Sequence, residues 1–348
     1  MKKNIIQINK RTISKDSLPL VIVELGINHS GQLKLAKKLI NDAKKAGAEI
    51  IKHQTHMADK EMSEEAKTIK PDNANTSIYD VIKNNSLSFD QEKKIRDYAK
   101  KLKLEFISTP FSREAAKKLY KIGVPAFKIG SGECNNLPLV EYICKFKKPI
   151  FLSTGMNDIA SIKKTVKIIE KYKVPYAIFH CTNIYPTPYN LVRLNALKEI
   201  KKAFPKAILG LSDHTGDNYT SFAAVALGAT VIEKHFIDTK KRNGPDISAS
   251  IDKTQLKDLI EGVKKIYLSM PGKKKALKEE KSTINFAFAS VVSIKKIKKG
   301  EKFSYKNTWV KRPGNGDFKA SEIKKILGKI AINNIKQNTQ IKKRDVFK

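Results

Sequence analysis

The chain has 348 residues, a hydrophobic content of 41% and a formal net charge of +35 at pH 7, which suits a barrel of about 250 residues plus a small second domain. No apolar stretch reaches the roughly 18 residues of a membrane helix and the first residues lack a signal-peptide core, so we expect a soluble, cytoplasmic protein without a membrane partner. The charge could indicate nucleic-acid binding, but the lysines recur along the whole chain without interleaved aromatics, so we interpret them as solvated surface and expect no nucleic-acid partner.

Residues 1–18 are polar and predicted to be irregular. After them, short apolar runs alternate with lysine-rich amphipathic stretches of helical length. The predicted strands are Leu20 to Glu24, Glu49 to Gln54, Glu105 to Thr109, Ala126 to Ile129, Pro149 to Ser153, Tyr176 to His180, Ala207 to Ser212, and Thr230 to His235. The predicted helices include Leu33 to Ala46, Phe89 to Lys101, Arg113 to Ile122 and Ser161 to Lys171. Eight β/α repeats indicate an α/β protein with a (β/α)8 TIM barrel.

A second domain is predicted after the barrel. A helix from Lys253 to Leu268 closes the barrel domain, residues 1–270, and the lysine-rich residues 271–284 are predicted to be a hydrated linker. Residues 285–348 then form a small mixed domain, which begins with a β-like segment from Phe286 to Ser293. Within it, a Gly- and Pro-rich loop at residues 310–317 presents Arg312.

Polar residues follow the predicted strands, at the end of the barrel where active sites lie. They are Glu24, Lys52, His53, Gln54, Ser108, Thr109, Lys128, Ser131, Glu133, Ser153, Thr154, His180 and Asn183, and we expect them to form one concave ring. Lysine is costly to bury unpaired, so Lys52 and Lys128, which end apolar runs, predict an anionic ligand. Nearby hydroxyl and amide groups are donors that a phosphate or carboxylate favours.

Two histidines end the last two predicted strands, in the motifs GLSDHT and EKHF. Successive parallel strands would bring His214 and His235 together at one mouth, where two imidazoles could bind a divalent metal with open positions. Asp213, Glu233 and Asp246 are close enough in sequence to orient these ligands or to act on a substrate. Alternatively, either histidine only caps its strand through a hydrogen bond.

The motifs ELGINHSG, IKHQTH, STPFS, FKIGSGECNN, LSTGM, HCTNIYPTP, GLSDHT, EKHF, GPD, FAFASVV and KRPGNGD occur in this order. Together they resemble the bacterial N-acetylneuraminate (sialic acid) synthases, from about Leu20 to Asp345. The resemblance implies a (β/α)8 barrel followed by an antifreeze-like (SAF) domain. It also implies an enzyme that condenses phosphoenolpyruvate with N-acetylmannosamine, giving N-acetylneuraminate and phosphate, with a divalent metal that is typically Mn²⁺.

The resemblance also implies roles for individual residues. Phosphoenolpyruvate would be held by Lys52, Thr109, Lys128, Ser131, Ser153, Asn183 and Ser212. The metal would be bound by His214 and His235, and the sugar approached by Gln54, Tyr185, Asp246 and Arg312. The catalytic carboxylates would be Glu24, Glu133 and Glu233, with Glu24 our first choice for proton transfer and Glu133 the next. The family is homodimeric, so Arg312 would reach the partner's barrel from the SAF domain.

Two other functions remain open from the sequence. A sister synthase would use a 2,4-diacetamido-trideoxyhexose and make legionaminic or pseudaminic acid, since sugar selectivity depends on a few loop contacts. A carbohydrate- or ice-binding protein is suggested only by the C-terminal module, and this function leaves the polar strand ends unused.

Overall fold

The computed structural model describes residues 4–71 and 74–346, which form two compact units, Met1–Pro271 and Gly272–Lys348. Within the described residues, no helix has both the length and the apolar character needed to cross a membrane.

The first unit is a closed barrel of parallel strands, which confirms the predicted (β/α)8 fold. Its strands are β3 (Leu20–Glu24), β4 (Ile50–Thr55), β5 (Glu105–Pro110), β6 (Phe127–Ile129), β7 (Ile150–Ser153), β8 (Tyr176–Cys181), β9 (Ile208–Asp213) and β10 (Val231–His235). They follow each other in sequence order around the barrel, and β10 closes it against β3. In this register Glu24 lies opposite Lys52 on one side and His235 on the other.

Helices surround the barrel and connect its successive strands. They are α1 (Leu33–Lys45), α2 (Ala58–Glu61), α3 (Ile78–Asn85), α4 (Phe89–Lys101), α5 (Arg113–Lys121), α6 (Leu137–Cys144), α7 (Ile159–Lys171), α8 (Tyr189–Val192), α9 (Ala196–Ala203), α10 (Tyr219–Ala226) and α11 (Lys253–Ser269). Local sequence sets several starts: Ser88 and Asp252 form capping boxes with the glutamine three residues on. The lysine-rich faces point to solvent, and the apolar faces pack on the outside of the barrel.

Side-chain alternation divides the barrel strands between two cores. Residues such as Ile22, Ile50 and Phe179 fill the barrel interior, whereas their neighbours Val23 and Ile51 pack outward against the helices. This period of two places every second strand residue inside the barrel. On each strand, the next inward-facing residue lies two positions after the apolar interior residue. This residue can therefore be polar and take part in binding or catalysis.

A hairpin precedes the barrel, so the prediction that residues 1–18 are irregular is wrong. The antiparallel strands β1 (Ile6–Ile8) and β2 (Arg11–Ile13) pair in register, and their isoleucines join the interior core of the barrel. The segment has few apolar residues, which hid the strands from sequence inspection. Its isoleucines are buried by closing one end of the barrel, which local sequence does not reveal.

The second unit is a small mixed domain. It contains α12 (Lys281–Ala287) and an antiparallel pair of strands, β11 (Ser290–Ser293) and β12 (Thr308–Lys311). A separate core includes Val291, Phe303 and Ile341. The β-like segment predicted from Phe286 is therefore correct only from Ser290 onward, because Phe286 and Ala287 belong to α12 and the strand begins at Ser290.

Candidate active site

The barrel mouth brings most of the predicted site residues to one cavity. Inward positions carry polar groups after the apolar interior layer: Lys52 follows Ile50, and Ser153 follows Phe151. The cavity has a volume of about 130 Å³. Its lining includes Lys52, Gln54, Thr109, Lys128, Ser131, Ser153, Asn183, Tyr185, Ser212, His214, Glu233 and His235.

Six members of the predicted ring do not line this cavity. Two of them are the carboxylates Glu24 and Glu133, and the other four are His53, Ser108, Thr154 and His180. His180 instead lies 2.6 Å from the backbone oxygen of Val192, through Nε2, and Thr154 Oγ1 donates to the carbonyl of Phe179 at 2.7 Å. The prediction that the whole ring faces one space was wrong for these last four residues because adjacent strand residues point to opposite faces.

Two lysines and two glutamates form a buried ion network in the mouth. Lys52 Nζ lies 2.5 Å from Glu24 Oε2 and 3.7 Å from Glu233 Oε1, and Lys128 Nζ lies 3.1 Å from the same oxygen of Glu233. None of the four side chains is more than 5% exposed. Among the described residues, Glu24 Oε1 and Glu233 Oε2 have no hydrogen-bond partner. Buried unsatisfied oxygens are costly, so the network is incomplete without further donors.

The two glutamates differ in their tendency to hold a proton. Burial raises the pKa of Glu24, and the nearby Lys52 ammonium opposes that rise only in part. Burial also disfavours ionisation of Glu233, but Lys128 and Lys52 together lower its pKa. Many enzyme active sites contain two carboxyl groups whose pKa values are shifted in opposite directions. The group with the raised pKa then acts as the acid or base, and the other stays charged.

Hydroxyl groups hold the two ammonium groups in position. Lys128 Nζ donates to Ser153 Oγ at 2.6 Å, and Lys52 Nζ donates to Thr109 Oγ1 at 3.2 Å. Each hydroxyl therefore accepts from a lysine and keeps its own hydrogen for another acceptor. The arrangement supplies both charge and hydrogen-bond donors to an anion.

The backbone at Gly155 lies very close to two polar side chains of the cavity lining, Ser131 and Asn183. The amide of Gly155 donates to Ser131 Oγ at 3.0 Å, and a Cβ at position 155 would stand 1.9 Å from Asn183 Oδ1. Only glycine fits at this distance. The LSTGM motif thus has a steric role, because its glycine lets Ser131 and Asn183 approach the same point.

The two predicted metal-binding histidines lie side by side. Their ring centroids are 5.3 Å apart, and the Tyr185 ring stacks on His214 at 4.1 Å. The Nδ1 atom of His214 is 2.8 Å from the carbonyl of Thr182, so that nitrogen donates and Nε2 is left with a free lone pair. On His235, Nδ1 has no hydrogen-bond partner among the described residues and lies 3.5 Å from Asp246 Oδ2.

The donor set around these histidines fits a divalent cation only in part. Burial and the neighbouring His214 hold the pKa of His235 well below its usual range, so its imidazole is neutral, as a metal ligand must be. A Cβ on Gly26 would meet Asp246 Oδ2 at 3.0 Å, His235 Cε1 at 3.2 Å and Glu24 Oε1 at 3.3 Å, so these groups face one small space. However, no group of three or more His, Cys, Asp or Glu side chains in the described ranges is arranged to hold a metal ion.

Asp213 does not orient either histidine. Its carboxylate faces outward and pairs with Lys234 at 3.1 Å, and it accepts hydrogen bonds of 2.6 Å from both Thr220 and Ser221. Both charged side chains are almost fully buried. The prediction that Asp213 orients the histidines was wrong because Asp213 lies between the inward-facing Ser212 and His214 in the sequence. Its side chain therefore points to the opposite face of the strand.

Besides Asp213, the residues with predicted roles that are not in the cavity lining are Glu24, Glu133, Asp246 and Arg312. Glu24 and Asp246 nevertheless lie beside the lining residues Lys52 and His235. The carboxylate of Glu133 is half-buried and accepts from Asn136 Nδ2 at 2.6 Å, and burial raises its pKa. Arg312 is exposed on a loop of the second unit. The roles assigned to Glu133 and Arg312 therefore stay predictions.

Cys181 lines the cavity but was not included among the predicted site residues. Its Sγ lies 3.7 Å from Nδ1 of His214. Burial by itself would lower the pKa of the imidazole and raise that of the thiol, but the contact between the two groups outweighs burial, so the pKa of His214 is raised and that of Cys181 is lowered. The signal was available, because Cys181 is two residues after the interior Phe179 and so has the same parity as the other inward residues.

Comparisons with known proteins agree with this geometry. A model of the NeuB family matches residues 39–275, and a model of the SAF domain matches residues 288–346, as predicted. The chain is 41% identical to N,N'-diacetyllegionaminic acid synthase of Campylobacter jejuni, over 93% of this chain and 98% of that protein. Pseudaminic acid synthase of the same species is 33% identical, over 95% and 97%. The crystal structure of N-acetylneuraminic acid synthetase from Leptospira borgpetersenii has a TM-score of 0.74 at 26% identity, over 81% of this chain and 95% of that one.

Proposed function

This chain belongs to the NeuB family and carries a SAF domain, and from that premise we propose that it condenses phosphoenolpyruvate with a 2,4-diacetamido-trideoxyhexose, giving a legionaminic-type acid and phosphate. The family comprises carbon–carbon bond-forming synthases of sialic, legionaminic and pseudaminic acids. The predicted resemblance and the predicted enzyme class are thus confirmed at the level of the family.

The observation that carries the proposal is the pair of buried ammonium groups, Lys52 and Lys128, beside hydroxyl donors at the barrel mouth. In the protein alone, Glu24 and Glu233 balance their charges. Phosphoenolpyruvate carries a phosphate and a carboxylate, so its arrival would give the ammonium groups new partners. It would also favour a proton on Glu24, since burial already raises the pKa of that carboxyl.

The choice of sugar follows the relatives. N,N'-diacetyllegionaminic acid synthase of Legionella pneumophila is 32% identical over 92% of this chain, in addition to the Campylobacter jejuni enzyme at 41%. N-acetylneuraminate-9-phosphate synthase of Homo sapiens is 29% identical. These values favour the diacetamido sugar over N-acetylmannosamine, which was our first choice from the sequence and remains the second candidate.

A divalent metal, the Mn²⁺ that the resemblance implies, would be held by His214 and His235, with Asp246 facing the same space. Two imidazole ligands would leave other coordination positions open to sugar oxygens and water. When bound, the metal would supply Lewis-acid polarisation of the sugar's carbonyl. Since Cys181 favours a proton on His214, metal binding should release a proton and strengthen as the pH rises.

The protein's own groups would then perform the remaining steps. Lys52 and Lys128 hold the enol phosphate while its terminal carbon attacks the open-chain aldehyde. Water adds to the carbon that bears the phosphate, and phosphate leaves the tetrahedral adduct. Glu24 would move the protons, because its pKa is raised and its Oε1 lacks a hydrogen-bond partner among the described residues, whereas Glu233 stays charged and fixes the lysines. A positioned general base contributes about 10²- to 10⁴-fold.

The resemblance further implies a homodimer in which Arg312 of one chain reaches the sugar in the partner's barrel. The exposure of Arg312 is compatible with that role. Replacing Arg312 with alanine should raise KM for the sugar but leave KM for phosphoenolpyruvate unchanged. Light scattering on the purified protein should give the mass of two chains.

The substrate test measures phosphate release from phosphoenolpyruvate with each candidate sugar, with and without a chelator. We expect turnover that requires both the metal and an amino sugar, with the highest kcat/KM for the 2,4-diacetamido-trideoxyhexose that gives a legionaminic-type acid. Preferential use of N-acetylmannosamine would support the second candidate, and no turnover with any sugar would refute the proposal.

The proton-transfer assignment has its own test. Glu24→Gln removes the proton donor but keeps the shape of the side chain, so kcat should fall about 10²-fold or more. Glu133→Gln is the matched variant outside the cavity lining and should retain most activity. A fully active Glu24→Gln enzyme with an inactive Glu133→Gln enzyme would reverse the assignment.

A further inference from the structure

A second cavity lies at the opposite end of the barrel from the mouth. It has a volume of about 890 Å³ and is bordered by the first residues of β4 and β5, the segment before β6, and the carboxyl ends of α1 and α4. It shares no lining residue with the mouth cavity. Its volume lies in the range of about 300 to 1,000 Å³ that is usual for small-molecule sites.

We propose that this basal cavity binds a nucleoside di- or triphosphate. The proposal goes beyond the proposed function and does not depend on it. Its support is the combination of charge, anchored arginines and an apolar wall within one concave space.

The lining carries seven cationic side chains and two carboxylates, an excess of five positive charges. Five of the cations are lysines: Lys10, Lys44, Lys100, Lys103 and Lys148. Within the described ranges, none of these ammonium groups forms a salt bridge, unlike Lys38 on α1, which pairs with Asp238 at 2.8 Å. Like charges collected around a hollow repel each other, and a multiply charged anion would remove that repulsion.

The two arginines are held in place by backbone contacts. Arg11 Nη2 donates to the carbonyl of Leu18 at 2.7 Å, and Arg96 Nη1 donates to that of Ile122 at 2.6 Å. Their side chains are only 22% and 21% exposed. Arg96 also pairs with the neighbouring Asp97 at 2.8 Å.

Both arginines have a buried Nε without a hydrogen-bond partner among the described residues. The Nε of Arg11 lies 3.7 Å from the carboxylate of Glu49. A guanidinium has five N–H donors in a fixed plane, so an anchored arginine keeps donors available for a phosphate.

The cavity also has an apolar wall, which includes Phe106, Val124 and Pro125. Beside it, Asn9 Nδ2 lies 2.7 Å from both carboxylate oxygens of Glu105, so that carboxylate is engaged by a neutral amide and not by a lysine. An apolar wall facing cations suits a ligand with a flat ring and a chain of phosphates. Inorganic phosphate alone would use only the cations.

Helix stability explains part of the charge but not all of it. Lys44 and Lys100 lie in the last turns of α1 and α4, where a cation favours the helix dipole. Lys10 is in the hairpin turn between β1 and β2, and Lys148 lies between α6 and β7, so neither residue belongs to a helix. The net charge of the chain makes unpaired lysines common, and it is their collection around one concave space that calls for a ligand.

The test is isothermal titration calorimetry on the full chain in about 150 mM salt, without phosphoenolpyruvate or sugar. The probes are ATP, CTP, AMP and inorganic tripolyphosphate. We expect the triphosphates to bind at least tenfold more tightly than AMP. Lys103→Glu combined with Lys148→Glu should weaken this binding at least tenfold.

The matched control is Lys117→Glu combined with Lys164→Glu, an equal charge change on exposed faces of α5 and α7. It should change binding less than twofold. Lys103→Gln combined with Lys148→Gln tests the same point if the charge-reversed protein does not fold, and circular dichroism identifies that case.

Three results would overturn the proposal. They are no binding of ATP or CTP, equal weakening in the control variant, and tripolyphosphate binding as tightly as the nucleotides, which would leave the apolar wall without a role. Binding of an RNA oligomer that responds equally to both double variants would attribute the affinity to the charge of the whole surface, and would also overturn it.

Discussion

Glu92 provides a sharp test of the electrostatics of the barrel. Its carboxyl group is 1% exposed and lies on α4, outside the barrel, against residues of β4 and β5. Burial raises the pKa of Glu92 to about 8. We therefore expect Glu92 to be protonated in the folded protein at neutral pH.

A count of hydrogens supports the neutral form. Ser108 Oγ donates its single hydrogen to the carbonyl of His53 at 2.9 Å. Thr55 Oγ1, 2.7 Å from Ser108 Oγ, must then donate to Ser108. The remaining contact of 3.0 Å, between Thr55 Oγ1 and Glu92 Oε2, therefore needs a hydrogen from the carboxyl group. His53 Nδ1, 3.7 Å from Glu92 Oε1, does not form a charged pair, because burial holds the pKa of His53 well below its usual range.

The raised pKa of Glu92 makes stability depend on pH. A carboxyl group with a higher pKa in the folded state contributes stability that is fully present below its unfolded value of 4.5 and is lost as the pH rises to about 8. Each pKa unit corresponds to about 1.4 kcal/mol, so the whole contribution is on the order of 5 kcal/mol. Between pH 6.5 and 7.5 the contribution of Glu92 to the free energy of unfolding should fall by about 1.2 kcal/mol, which corresponds to about 3 to 5 °C in the Tm of the barrel.

The histidines beside Glu92 act in the opposite direction in this window. Burial lowers the pKa of His29 to about 4, and that of His53 falls in the same direction. A lowered pKa contributes stability that is lost as the pH falls through the unfolded value of about 6.5, so each histidine adds about 0.4 kcal/mol between pH 6.5 and 7.5. This gain does not involve the Glu92 carboxyl, so it cancels when the wild type is compared with a variant that lacks that carboxyl.

The assay compares the wild type with Glu92→Gln by thermal unfolding, followed by far-UV circular dichroism, at several pH values in this window. The glutamine amide can donate to Thr55 but cannot ionise, so the fall in Tm with pH should be smaller in this variant by about 3 to 5 °C per pH unit. Glu261→Gln, on the exposed face of α11, is the control and should keep the wild-type slope. Equal slopes for the wild type and Glu92→Gln would refute the reasoning.

Three further predictions concern the mouth and its supports. Lys128→Met should raise KM for phosphoenolpyruvate about 100-fold in steady-state kinetics, because a charged hydrogen-bond donor worth about 1.5 to 3 kcal/mol is lost; an unchanged KM would remove Lys128 from the anion site. His235→Ala should abolish Mn²⁺ binding in calorimetry while the circular dichroism spectrum stays native, whereas unaltered binding would place the metal elsewhere. Lys234→Met should lower the free energy of unfolding in urea by about 3 to 5 kcal/mol, because it leaves Asp213 charged and buried without its cation; a loss below about 1 kcal/mol would contradict the importance of this pair.

The barrel could be predicted from the sequence because its strands are continuous apolar runs between polar turns. All eight predicted strands are present, and Leu20–Glu24 has the predicted bounds. Parallel strands that are buried on both faces have nearly continuous apolar sequences, without the alternation of polar and apolar residues seen in half-buried strands. The hairpin at Ile6–Ile8 and Arg11–Ile13 was not predicted, because its stability comes from closing the barrel.

The candidate site could be predicted by residue type but not by direction. Strand ends identified Lys52, Lys128 and the histidine pair, yet the same reasoning placed His180 and Asp213 in the mouth. Counting in steps of two from an interior residue such as Phe179 would have separated these groups and added Cys181. The identity of the sugar could not be read in this way, because we expect sugar selectivity to depend on loop residues, and the paths of loops are not periodic.

The central claim is that Lys52 and Lys128 hold phosphoenolpyruvate while its terminal carbon attacks the aldehyde of an amino sugar and water then adds to the carbon that bears the phosphate. The most direct test follows, by ³¹P NMR, the phosphate released from phosphoenolpyruvate that carries ¹⁸O in the bridging position, with and without the 2,4-diacetamido-trideoxyhexose. We predict that labelled phosphate forms only when the sugar is present, because water adds to carbon and the carbon–oxygen bond breaks. Release of unlabelled phosphate, or release that does not require the sugar, would contradict the account.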